Sequence, residues 1–141
     1  MIDDSGKIKK IELDSFKIEL ILGGGKHMIY DTTKKGLETV FLDYQIAVWR
    51  YLWRTPKPSV FSLDTWEAVK RDIAPKTVSR ASIINFLNKM VAEGLLDHNE
   101  VSGKGGMKGE YSLNGFSNSE AELKHTLSMR LMESIKAELG E

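Results

Sequence analysis

The spacing of apolar residues changes period along the chain. Phe16, Ile18, Leu20 and Leu22 alternate with Lys17, Glu19 and Ile21, the two-residue period of a half-buried strand. Gly23-Gly24-Gly25 breaks the run, and His27-Met28-Ile29-Tyr30 is expected to return as its hairpin partner. Leu37 to Phe41 predicts a third strand after the turn Thr33-Lys34-Lys35-Gly36, while Ile8, Ile11 and Leu13 fit no single period. Residues 1–41 are therefore expected to form a β-rich extension.

From Asp43 to Arg54 the period becomes helical. Ile46, Trp49 and Trp53, with Leu42 and Leu52 beside them, fall on one broad face. Thr55-Pro56-Lys57-Pro58-Ser59 ends that helix, because proline cannot continue the backbone ladder and biases the preceding residue toward extended geometry. Ser62 is expected to cap a short second helix, Leu63 to about Asp72, with Trp66, Val69 and Ile73 inward. After Ala74-Pro75-Lys76-Thr77, Ser79 is the expected cap of a third helix carrying Ile83, Leu87, Met90 and Val91 on one face.

Gly94 stops the third helix in the manner of a left-handed C-cap, and a strand is expected from Leu96 to about Val101. A glycine-rich tip, Ser102 to Gly109, separates it from a return strand at Glu110-Tyr111-Ser112-Leu113. A last helix starting near Ser117 or Ser119 carries Leu123, Leu127, Leu131, Ile135 and Leu139. Each lies four residues after the last, so the stripe drifts by roughly 40° per step and is not a clean heptad seam. It is expected to pair with the same helix of a second chain, giving a homodimer.

Composition narrows the class. With 41% hydrophobic and 28% charged residues among 141, the chain is ordinary for a globular protein. No run approaches the roughly 20 apolar residues of a membrane span, and Met1-Ile2-Asp3-Asp4 is unlike a secretory signal, so a cytoplasmic, non-membrane protein is expected. The absence of cysteine removes disulfides, thiolate nucleophiles and thiolate zinc sites. Net charge is zero, but between Lys70 and Lys108 cations outnumber acids.

Helix, short helix, capped helix and glycine-tipped hairpin follow in the order of a winged helix-turn-helix, an α+β fold placed at residues 42–114 and followed by the tail 115–141. Such a domain binds double-stranded DNA through its third helix. Arg80, at the positive end of that helix, is the first candidate for a base or phosphate contact, and Asn85 for adenine pairing. Ser79, Ser82, Asn88 and Lys89 lie on the remaining polar surface, with Lys76 and Thr77 just ahead of it. Lys104 and Lys108 are expected to meet phosphates or the minor groove from the wing.

The segment Thr77 to Leu96 resembles the recognition helix and first wing strand of MarR-type winged-helix regulators. The Ser79-Arg80-Ala81-Ser82 start and the Glu93-Gly94-Leu95-Leu96 end carry the likeness. Ala74-Pro75-Lys76-Thr77, Gly94-Leu95-Leu96-Asp97-His98 and Tyr111-Ser112-Leu113 are similar to the penicillinase-repressor family, whose dimerising C-terminal helices the tail also resembles. The resemblance spans roughly residues 42–113 and implies a transcriptional regulator, expected to be a repressor. It does not name an effector, and residues before Leu42 resemble neither family.

Other chemistry fares worse. Gly23-Gly24-Gly25-Lys26 lacks the Ser or Thr and the following helix of a phosphate-binding loop, and is expected to be a hairpin turn. His27, His98 and His125 lie on three different elements, so no metal site is expected, and no cofactor is implied. No nucleophile lies with a base and no carboxylates are paired, which argues against an enzyme. The principal alternative is a winged-helix protein-interaction module, which zero net charge favours slightly.

Overall fold

A computed structural model of the protein describes residues 7–12, 17–21, 27–103 and 106–140. The fold is α+β, with antiparallel sheets β1-β2-β3 and β4-β6-β5. The elements run β1 (Lys7–Glu12), β2 (Lys17–Ile21), β3 (His27–Asp31), α1 (Asp43–Arg54), β4 (Val60–Phe61), α2 (Ser62–Ile73), α3 (Arg80–Ala92), β5 (Leu96–Gly103), β6 (Gly106–Leu113) and α4 (Glu120–Glu138). Contacts divide the chain into two units. One contains the first sheet and α4 from Lys124 onward, and the other is Leu42–Leu123.

In the first unit, β3 shows the expected alternation, with Met28 and Tyr30 buried and Ile29 exposed. Leu20 of β2 pairs with Met28, and Ile18 with Tyr30. A register shift between Ile8 and Lys10 puts Ile8 opposite Leu20 and Ile11 opposite Ile18, so residues three apart both meet apolar positions of β2. Leu13, Phe16 and the Leu22 to Lys26 turn lie outside the described residues. The Tyr30 hydroxyl donates to the Leu127 carbonyl of α4 at 3.0 Å.

The expected third strand is not there. Gly36–Thr39 is instead a 3-10 helix, entered through Gly36 at φ 61°. Its Leu37 carbonyl accepts the N–H groups of both Val40 and Phe41. Leu37 and Phe41, four apart, are both buried, a spacing that a helical turn satisfies as well as alternation does.

In the second unit α1 buries Ile46, Ala47, Val48, Trp49 and Leu52. Trp53 is half-buried, its indole stacked on Trp49 with centroids 5.8 Å apart. Leu42 departs from the expected inward face: it is 64% exposed, at the N-cap, where its backbone N–H donates to the Gln45 side chain. The two prolines after α1 do end it, but Val60 and Phe61 then form β4 by pairing with Tyr111 and Glu110 of β6. Ser62 is the first residue of α2 rather than its cap, because β4 leads straight into the helix. The buried Thr65 donates its hydroxyl to the Phe61 carbonyl at 2.9 Å.

Helix α3 buries Ile83, Phe86, Leu87 and Met90, the i, i+3, i+4, i+7 pattern of one face. Phe86 thus takes the place expected for Val91, which is half-buried. Its end is a Schellman motif: Gly94, at φ 75°, donates to Val91, and Leu95 donates back to Met90 at 2.9 Å. β5 and β6 pair from Leu96↔Leu113 to Gly103↔Gly106. The loop expected over Ser102 to Gly109 is therefore mostly paired strand, because backbone pairing needs no side chains.

Ser119 accepts the Glu122 N–H at 3.1 Å and opens α4. Leu123 and Leu127 are buried, and Ser134 after them, whereas Ile135 and Leu139 are 38% and 75% exposed. The stripe at intervals of four has rotated off the buried side, as its drift requires. Among the described residues no helix is long and apolar enough to cross a membrane.

Candidate functional site

The exposed side of α3 follows from its buried one. With Ile83, Phe86, Leu87 and Met90 inward, Ala81, Asn85, Asn88 and Ala92 form an exposed ridge at steps of four, three and four, flanked by Arg80 and Lys89. The two alanines leave its ends low, so a flat or concave partner can approach the backbone closely.

Ser79 builds the start of this ridge. Its hydroxyl accepts the backbone N–H of Ser82 at 3.1 Å and shares a hydrogen bond of 2.9 Å with the Ser82 hydroxyl. Ser79 is thus first of all a capping group, and the Ser82 hydroxyl is tied to it. Ahead of them the Trp66 indole donates to the Val78 carbonyl at 2.9 Å, and Lys70 lies 3.7 Å over the Trp66 ring. The indole bond anchors the turn between α2 and α3.

The expected contact residues divide by what they already hold. Among the described residues, the side chains of Arg80, Asn85, Lys89, Thr77 and Lys108 have no hydrogen-bond or ion-pair partner, and all are exposed. Lys76 is paired with Asp43, whose hydrogen bond and charge push the lysine above its ordinary pKa. Lys108 sits opposite Val101, on the hairpin face away from Tyr111. Lys104 lies outside the described residues.

Asn88, expected on the polar surface of α3, is joined to the hairpin by Tyr111, which was not expected to take part. The buried Tyr111 donates its hydroxyl to Asn88 Oδ1 at 2.6 Å. Burial raises the tyrosine's pKa, so it remains a donor at neutral pH. His98, its cross-strand partner, lies with its ring 5.0 Å away. A Cβ on Gly109 would stand 2.5 Å from His98 Nε2, so the glycine makes room for the imidazole. A glycine inside an alternating strand is the sequence signal of such an approach.

Beside the hairpin base lies a cavity of about 280 Å³, lined in part by Trp53, Lys57, Ser59, Tyr111 and Asn118. Of its polar groups, Trp53 donates to the Ser117 carbonyl, Ser59 to Glu110, and Lys57 pairs with Asp64 at 4.0 Å. Among the described residues no group of His, Asp and Glu is arranged to hold a metal. No protein-family model matches the chain, and no curated protein matches it.

Proposed function

We propose that residues 42–114 form a winged helix-turn-helix domain that binds double-stranded DNA, with α3 in the major groove and the β5–β6 hairpin against the flanking backbone. One observation carries this reading: a capped helix presents Asn85 unpaired on an exposed ridge with Arg80 and Lys89 unpaired beside it, and a hairpin follows it directly. The backbone N–H groups at the start of α3, and the positive end of its dipole, suit a phosphate. The protein acts as a transcriptional repressor of the MarR or penicillinase-repressor kind, in the cytoplasm and without chemistry of its own. It is a homodimer through α4, whose exposed Met132, Ile135 and Leu139 follow the three-four spacing of a packing seam.

The test is titration of fluorescently labelled duplex DNA at several salt concentrations. Affinity is expected to fall steeply with salt, by a log–log slope of about −0.9 per phosphate contacted. Arg80→Ala is expected to weaken binding by about 1–3 kcal/mol with its melting curve unchanged. Undiminished binding by that variant overturns the role of Arg80, and no binding by the wild-type protein overturns the reading. The exposed acids Asp97 and Glu100 on β5 favour a protein partner instead, which is the second reading if duplexes do not bind.

A further inference from the structure

Asn88 belongs to the exposed ridge of α3, three residues after Asn85. A primary amide carries an acceptor at one end and two donors at the other, and only its neighbours decide which end faces out. Here the neighbour is Tyr111, which holds Oδ1 at 2.6 Å. Tyr111 is itself held by strand pairing to Val60 on one side and His98 on the other.

We propose that Asn88 is a nucleic-acid contact that acts as a donor: Tyr111 takes one lone pair of its oxygen and so orients the amide, leaving the Nδ2 hydrogens to bind a DNA phosphate. This deepens the DNA-binding reading and rests on it. A phosphate oxygen only accepts, so it matches the end of the amide that remains. Two-point pairing with adenine needs the oxygen as well as the nitrogen, and the tyrosine opposes it. The contact is thus independent of base sequence and fixes the depth of α3 in the groove. Tyr111 is a positioning residue, and through it the hairpin and the helix contact the backbone as one piece.

The experiment compares wild type, Asn88→Ala, Asn88→Asp, Tyr111→Phe and the double variant Asn88→Ala with Tyr111→Phe, all as full chains, on duplexes of different sequence. Asn88→Ala is expected to lose roughly three- to tenfold in affinity, alike on every duplex that binds. Asn88→Asp keeps an acceptor for Tyr111 but turns a carboxylate to the phosphate, so it loses more than alanine does. Tyr111→Phe loses affinity, and the double variant is no weaker than the worse single one, the coupling expected of two residues acting through one contact. In nuclear magnetic resonance spectra the Asn88 side-chain amide protons are expected to shift on adding DNA to wild type, and to shift less in Tyr111→Phe.

Wild-type binding with Asn88→Ala unaffected, with aspartate equal to alanine, or with a loss confined to particular base sequences overturns this inference and leaves the DNA-binding reading intact. Failure of the wild-type protein to bind any duplex removes both.

Discussion

Ser79 and Ser82 close the first turn of α3 on each other: the Ser79 hydroxyl takes the Ser82 N–H at 3.1 Å and meets the Ser82 hydroxyl at 2.9 Å. Removing the cap in Ser79→Ala is expected to cost about 1 kcal/mol, read as a lower urea midpoint with an unchanged slope. Ser79→Asp keeps a capping oxygen and hence the stability. It also brings a negative charge to the helix end proposed to meet phosphate, so DNA affinity falls while the midpoint stays. Equal DNA affinity for serine and aspartate would place the start of α3 away from the polyanion.

Trp49 is wholly buried, stacked on Trp53 and edge-on to Phe86 at 6.4 Å. It joins α1 to α3, so the placement of the exposed ridge depends on it. Trp49→Ala is expected to destabilise by about 3–5 kcal/mol, a large share of the stability of a small domain. Denaturant unfolding measures it, and a loss under 1 kcal/mol contradicts the packing described.

Asp31 accepts the Thr33 hydroxyl at 2.6 Å and the Thr33 backbone N–H at 3.0 Å. These bonds, with Lys17 and Lys34 nearby, hold its carboxyl below its ordinary pKa of 3.8. A lowered folded-state pKa stabilises the fold above the unfolded value, and that contribution disappears as pH falls through the folded one. Thr33→Ala, which removes the hydroxyl donor, is expected to raise the Asp31 midpoint in a nuclear magnetic resonance titration. An unmoved midpoint assigns the depression to the backbone bond and the lysines instead.

Ile135 and Leu139 are exposed on α4, on a different side from the buried Leu123 and Leu127. If a second copy covers them, Ile135→Asp halves the mass seen by sedimentation and leaves the helical signal in circular dichroism unchanged. DNA affinity then falls too, because two linked recognition helices bind far more tightly than one. A wild-type protein that sediments as a monomer at micromolar concentration removes the dimer from the proposal.

The elements that were legible in the sequence are those whose hydrogen bonds are local. α1 runs over the expected Asp43–Arg54 because its apolar spacing and the prolines behind it lie within a few turns. The start and end of α3 follow from Ser79 and Gly94 in the same way. Val60-Phe61 carried no such signal, being a strand only because β6 offers its edge some fifty residues later. Leu37 to Phe41 satisfied two periods at once, and Ile8 and Ile11 satisfied neither until a bulge separated them.

The candidate site divides along the same line. Which α3 residues are polar and outward follows from helical spacing, so Arg80, Asn85 and Lys89 could be named from residue order alone. That Lys76 is engaged by Asp43, that Ser82 is tied to Ser79, and that Asn88 answers to Tyr111 depends on side chains meeting across the fold. Residue order determines periodicity and caps, since backbone geometry repeats over a few residues. The tertiary structure decides which polar atoms remain free for a partner, since that depends on neighbours distant in the chain.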